Sequence, residues 1–175
     1  HKGIIYCPEG LYFVFNMTSI LIYEDNHDLR NSIRQILSEE ARFVVTGDFE
    51  NCLQVKEQVK MAAPDVILMD IDMPKITGIE ATKMIRQFNH KVQIIMLTVF
   101  DDSRHVLDAI CAGASGYLLK KSIPEKLITA IDEVMAGGAP MTPSIAKMVI
   151  ASMHRGKEAD SYHLSDREKE VLVLL

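Results

Sequence analysis

No run in this 175-residue chain approaches the roughly 18 to 20 consecutive apolar residues that a helix needs to cross a bilayer. That excludes a helical span, and the expectation is a soluble, cytoplasmic protein with no membrane partner. Cysteine is scarce: Cys7, Cys52 and Cys111 are odd in number, far apart and without a C-x-x-C spacing. This excludes a disulfide framework and a thiolate zinc site, and fits the reduced thiols of a cytosol. An excess of basic charge is lacking too. With a formal charge of -5 the chain is not by itself a surface for DNA, whose phosphates need a basic face. His27, His90, His105, His154 and His163 show no metal-ligand spacing and are expected at the surface.

What is present is an ordinary globular composition, 48% hydrophobic and 25% charged, in a chain long enough for one well-buried domain with a remainder. The stretch at 65–74, DVILMDIDMP, organises it. A short apolar run bounded by turn signals suits a fully buried parallel strand, and Pro74 bars that strand from continuing. Such a strand delivers Asp70 to the carboxyl end of an open sheet, where α/β proteins place their chemistry. Three other runs end in the same manner: residues 19–23 lead into Glu24 and Asp25, 92–97 into Thr98, and 116–119 into Lys120. Three carboxylates, a hydroxyl and an ammonium at one end of one sheet make a site.

Between these runs lie stretches of helical period. Leu29, Ile33, Ile36 and Leu37 share a face, as do Ala81, Met84, Ile85 and Phe88, then Val106, Leu107, Ile110 and Cys111. Leu127, Ile128, Ile131, Val134 and Met135 follow in a helix opened by Pro124 and closed by Gly137 and Gly138. A second strand at 43–46 and a helix at 51–61 complete five β-α units. Right-handed crossovers leave few arrangements, and the expected fold is α/β, a flavodoxin-like, doubly wound, five-stranded parallel sheet of order 2-1-3-4-5 with a C-terminal helical extension. Strands one and three are then neighbours, and Glu24, Asp25 and Asp70 converge.

Glu24-Asp25, Asp70 with Met73-Pro74 and Gly78, Thr98, and the stretch Gly113 to Lys120 occur in order and at the spacings of a known family. Over roughly residues 17–137 the chain resembles the receiver domain of two-component response regulators. The resemblance implies that Asp70 is the phosphoacceptor and that a sensor histidine kinase is the donor. It gives Lys120 and Thr98 the phosphoryl oxygens to hold, and makes Thr98 and Tyr117 a switch acting on the face of the fourth helix, fifth strand and fifth helix. That face would change partners on phosphorylation, as a homodimer contact or a contact with a DNA-binding domain. Glu24, Asp25 and Asp70 cannot all stay ionised cheaply, since unit charges about 4 Å apart repel by roughly 4 kcal/mol at an effective dielectric near 20. An oxygen-only acidic cluster suits Mg²⁺. Asp25 and Asp70 are expected as direct ligands, Glu24 through water, and Asp72 through its backbone carbonyl. Val99 stands where many receivers have a small residue, which implies slower access for a small donor.

Singly, each residue has a plainer explanation: Asp70 as a turn former, Thr98 as a strand residue, Lys120 as a solvated cation, Tyr117 as packing, and Met135, Met141, Met148 and Met153 as core or interface filler. Two rival chemistries compete with the receiver. An Mg²⁺-dependent aspartyl-phosphate phosphatase of the haloacid-dehalogenase type would use Asp70 and Asp72, but leaves Glu24-Asp25 unexplained. A flavodoxin needs a phosphate-holding Ser/Thr/Gly-rich loop after the first strand, where Glu24 and Asp25 would repel one. A receiver working without phosphorylation is disfavoured by the intact acidic set.

Outside the domain, residues 1–16 are taken as a leader or a segment added in cloning, with 11–15 able to pack on the surface or pair with an edge strand. Residues 138–163 are expected to be a linker with a short helix carrying Ile145, Met148 and Val149 on one face. In 164–175, Ser165 and Glu168 form a capping box before an apolar run. That piece resembles the first helix of the LuxR-type helix-turn-helix domain in NarL/FixJ-class regulators. The expectation is a truncated transcription factor.

Overall fold

The run ahead of Asp70 forms a strand, β5 (Val66–Asp70), that is buried at every residue, as its unbroken apolar sequence demands. It lies at the centre of a parallel sheet. The computed structural model describes residues 2–6, 12–99, 103–143, 145–147 and 149–151. A hairpin of β1 (Lys2–Tyr6) and β2 (Tyr12–Asn16) comes first, and β3 (Thr18–Tyr23), β4 (Phe43–Phe49), β5, β6 (Gln93–Thr98) and β7 (Gly116–Leu119) follow. These last five pair in the order β4-β3-β5-β6-β7, which from Thr18 onward is the expected 2-1-3-4-5.

Successive side chains of a strand point to opposite faces, so each strand feeds two cores. From β3, β5 and β6, the residues Leu21, Ile67, Met69, Ile94 and Met96 pack with Val55, Val59, Ala81, Ile85, Val106 and Ala109. These come from α2 (Val55–Ala62), α3 (Gly78–Arg86) and α4 (Ser103–Cys111). Ile20, Ile22, Leu68, Ile95 and Leu97 meet Ile33 and Leu37 of α1 (His27–Ser38) and Leu127, Ile131 and Val134 of α5 (Ile123–Met135) on the other side. Each of the Val, Leu, Ile and Met side chains among these contributes about 1.5 to 3 kcal/mol on burial. The framework around the strand ends is therefore stiff.

Local chemistry fixes the helix ends next to the site. Asn26 Oδ1 accepts from the Leu29 amide and starts α1, while Thr77 and Glu80 form a capping box that starts α3. Gly113, at φ +98°, ends the α4 turn and sends the chain into β7.

Several expectations need correction. Helix α2 begins at Val55, four residues after the expected start, because Asn51 Oδ1 takes the Leu53 amide and holds a turn. Phe88 and Met135, expected in the core, are 36% and 46% exposed; both follow the last buried turn of their helices. Phe88 carries Lys60 Nζ 5.2 Å from its ring centroid. Cys111 is exposed while Leu107 and Ile110 are half-buried, so the α4 stripe is centred on Val106 and Ala109. His27 and His90 are exposed, as expected of surface residues, but His105 is half-buried. Residues 12–16 pair with 2–6 in their own ladder and not with the edge of the main sheet. Residues 164–175, Met148, Met153, His154 and His163 lie outside the described residues.

The segment after α5 turns back over the sheet. Tyr117 N–H of the edge strand β7 donates to the Pro140 carbonyl at 2.9 Å. Thr142 accepts from the Ile145 amide at 3.4 Å ahead of helical residues at 145–147 and 149–151, and Ile145 is wholly buried in the same apolar cluster as Tyr117.

Candidate functional site

Four parallel strands set their ends side by side. Asp70 pairs in register with Leu97, Tyr23 with Met69, and Thr98 with Leu119, so Glu24, Asp70, Thr98 and Lys120 all issue from the carboxyl edge of the sheet. Glu24, Asp70 and Thr98 are 0%, 2% and 1% exposed, a degree of burial that acids reach only with partners. Lys120 supplies the partner. Its Nζ lies 2.8 Å from Asp70 Oδ2 and 2.9 Å from Glu24 Oε1.

The electrostatics follow from this arrangement. Desolvation raises the Asp70 carboxyl above its ordinary value against the hydrogen bond from Lys120, and Asp25 adds to the rise. Glu24 is raised likewise, first by burial and then by Asp70. Burial lowers Lys120, but its hydrogen bonds to Asp70 and Glu24 outweigh that and leave it raised. One ammonium faces two buried carboxylates, and the pocket is short of positive charge.

Three oxygens, one each from Glu24, Asp25 and Asp70, lie within 4.8 Å of one another. Glu24 Oε2 is buried and, among the described residues, accepts no hydrogen bond. A buried carboxylate oxygen without a donor is costly, and a hard cation with oxygen ligands is the group that such a set fits. Asp72 is exposed; its amide donates to Asp70 Oδ1 at 3.3 Å. The sequence-predicted residues Glu24, Asp25, Asp70 and Lys120 are thus brought together, with Thr98 beside them on the neighbouring strand. Val99 is 69% exposed at that rim.

The backbone around Asp70 has no room to spare. A Cβ on Gly78 would stand 1.9 Å from the Asp70 carbonyl oxygen, and the Gly78 amide donates to the Ile71 carbonyl at 2.9 Å. Arg30 is a residue that the sequence did not single out. Its Nη1 donates to the Glu24 carbonyl at 2.6 Å and its Nε to Asp48 Oδ1 at 3.2 Å, pinning the loop that carries the acids. Its place one turn into α1 is the sole sequence signal, because Asp48 approaches only through strand pairing.

Tyr117 lies further along the sheet and is 1% exposed. Its ring belongs to the cluster of Met96, Val106, Ala109 and Ile145, between the acidic end and the segment after α5.

The family description "Response regulator receiver domain" matches residues 20–132. Among curated proteins, the transcriptional regulatory protein DegU of Brevibacillus brevis is 36% identical over 151 residues, 86% of this chain and 64% of its own length. The nitrate/nitrite response regulator protein NarL of Escherichia coli K12 is 30% identical over 160 residues, 90% of this chain and 74% of its own. A crystal structure of a LuxR-family two-component response regulator from Aurantimonas sp. SI85-9A1 superposes with a TM-score of 0.73 at 30% identity, covering 78% of this chain and 98% of that one. The chain therefore spans about two thirds of the length of such regulators, 64% in the case of DegU.

Proposed function

Because the chain belongs to the response regulator receiver family, we propose that it takes a phosphoryl group onto Asp70 from a phosphohistidine of a sensor kinase and passes the event to a LuxR-type DNA-binding domain of the whole regulator. The observation that carries this reading is the buried Asp70 carboxylate held 2.8 Å from Lys120 beside Glu24 and Asp25. An Asp70 oxygen attacks the phosphorus, the P–N bond breaks, and the imidazole leaves with the electron pair, so an acyl phosphate forms. Burial strips water from Asp70 and favours a transfer that lowers the carboxylate's charge density. Lys120 then follows the negative charge from the carboxylate to the phosphoryl oxygens, as preorganised cations do. The Thr98 hydroxyl donates to one of those oxygens after transfer.

Asp25 and Asp70 directly, Glu24 through water and the Asp72 carbonyl would hold Mg²⁺. When bound, the ion supplies positive charge beside the transferring oxygens. The regulator works in the cytoplasm and dimerises on activation in this reading. The phosphatase alternative would give the second acid, Asp72, a general-acid role, and the exposure of Asp72 with Glu24 buried in the site speaks for the receiver.

Intact mass after incubation with acetyl phosphate and Mg²⁺, on this chain and on Asp70→Asn, tests it. A single Mg²⁺-dependent phosphoryl adduct, absent from the variant, is the expected result. Catalytic release of phosphate without a stable adduct would favour the phosphatase, and no adduct in a folded chain from acetyl phosphate or from a phosphohistidine donor would overturn phosphoacceptance.

A further inference from the structure

Two of the acids that fit a cation are consecutive, and they are held differently. Glu24 is buried, and its Oε1 accepts from Lys120 and from the Asn26 amide. Asp25 is exposed, so packing does not aim its carboxylate, and the direction of its Cα–Cβ bond comes from the backbone. The peptide that joins the two carries the Glu24 carbonyl and the Asp25 amide, and being planar it turns as a unit. Arg30 grips that peptide. Its Nη1 donates to the Glu24 carbonyl at 2.6 Å, and its Nε donates to Asp48 Oδ1 at 3.2 Å. The grip is fixed at both ends. The Arg30 amide donates to the Asn26 carbonyl at 2.9 Å at the start of α1, and Asp48 stands on β4 next to Phe49, whose carbonyl accepts from the Glu24 amide at 3.0 Å. The Arg30 side chain is 12% exposed, and its charge, which would oppose a cation nearby, is offset by Asp48.

We propose that Arg30, braced by Asp48, is the positioning residue of the cation site: by fixing the Glu24–Asp25 peptide it aims the Asp25 carboxylate and sets the preference of the site for Mg²⁺ over Ca²⁺. The inference rests on the Mg²⁺ reading above. Mg²⁺ demands near-octahedral oxygens about 2.1 Å away, whereas Ca²⁺ accepts larger and looser arrangements. A peptide free to turn therefore harms Mg²⁺ more than Ca²⁺. Residues that orient metal ligands from behind are worth about 10- to 100-fold in affinity. A guanidinium suits the task because its planar fork spans two acceptors in fixed geometry, which the single ammonium of a lysine does not.

The test titrates the 175-residue chain with Mg²⁺ and, separately, with Ca²⁺, followed by the amide shifts of Asp25, Asp70 and Asp72. Arg30→Met should weaken Mg²⁺ about tenfold or more and Ca²⁺ distinctly less, so that the ratio of the two affinities falls. Arg30→Lys keeps the charge but not the fork and should move the ratio in the same direction. Arg34→Met removes another donor to Asp48 without touching the Glu24 carbonyl, and should leave the ratio as it is. Should Arg30→Met fail to fold, Asp48→Asn carries the test, since a guanidinium without its brace lets the peptide turn and lowers the ratio too. Mg²⁺ bound by the folded variants as tightly as by the parent, or more tightly as loss of a nearby positive charge alone would give, overturns the positioning role. So does an equal loss for both ions, which marks a general loosening. A folded parent chain that binds no Mg²⁺ removes the metal reading itself, and the inference with it.

Discussion

Lys120 and Glu24, 96 residues apart in sequence, meet at 2.9 Å, and the same ammonium reaches Asp70 at 2.8 Å. One cation therefore spans the two strands that the sheet order sets apart by β5 and β6. Substitution Lys120→Met removes it and leaves two buried acids and Asp25 without a counter-charge. Breaking such a pair by deleting one member costs about 3 kcal/mol. The variant should unfold at lower urea concentration at neutral pH, recover part of the loss with millimolar Mg²⁺, and accept phosphoryl groups far more slowly. Urea denaturation with and without Mg²⁺ measures the first two effects, and a timed intact-mass series the third.

The pH dependence follows from the same acids. Asp70 and Glu24 both titrate above their ordinary values, desolvation being the first cause. Between the ordinary and the raised values the folded chain holds more protons than the unfolded one, so their contribution to stability rises as pH falls through that window and levels off below the ordinary carboxylate range. Divalent ions compete with those protons. Mg²⁺ at a hundred times its dissociation constant stabilises by about 2.7 kcal/mol, and this gain should shrink steadily as the pH is lowered toward the carboxylate range. Melting temperatures against pH, for the chain and for Asp70→Asn, with and without Mg²⁺, check the sign. An Asp70→Asn chain with an unchanged pH slope would contradict the assignment.

Much of this arrangement is legible in the sequence. Unbroken apolar runs ending in Asp70, Thr98 and Lys120 carry both the strand assignment and the location of the chemistry, since a parallel strand buried on both faces has few other ways to be written. Helix faces were legible where the stripe lies mid-helix, as at Ile33 and Leu37, and failed at helix ends. Phe88 lies two residues beyond the end of α3 and Met135 is the last residue of α5, and both are exposed. Arg30 and Pro140 are not legible, because the Glu24 carbonyl and the Tyr117 amide are backbone groups that leave no mark in side-chain pattern, and Asp48 reaches Arg30 only through strand pairing.

The thiols should separate cleanly by reactivity. Cys52 is fully buried, its Sγ 3.6 Å from Met69 Sδ and 4.0 Å from Met73 Sδ, and burial followed by the charge of Asp70 pushes its thiol up to about 12. Cys111 is exposed at the end of α4. Since the thiolate is the reactive form, a thiol reagent should modify Cys111 within minutes and Cys52 only at the rate of unfolding. Peptide mapping after timed alkylation decides this; rapid labelling of Cys52 in the folded chain would mean that the layer beneath Asp70 opens locally.

Gly78 makes the final and most demanding case. The start of α3 lies against the backbone of the phosphoacceptor strand, so that a methyl group at Gly78 would fall 1.9 Å from the Asp70 carbonyl oxygen and 2.9 Å from Met69 Cγ. No side-chain rotation relieves a clash with backbone; either α3 or the end of β5 must shift. Because Gly78 N–H also donates to the Ile71 carbonyl, a shift breaks the hydrogen bond that fixes the turn after Asp70. Gly78→Ala should therefore destabilise the chain by several kcal/mol, in the range of overpacked cores and broken backbone bonds. Any folded fraction should bind Mg²⁺ weakly, because Asp70 no longer stands beside Glu24 and Asp25. Urea denaturation gives the first quantity, and Mg²⁺ titration of the folded variant, followed by amide shifts at Asp70 and Asp72, gives the second. A Gly78→Ala chain as stable and as Mg²⁺-responsive as the parent would show that the α3 start is free to move and does not position the acid.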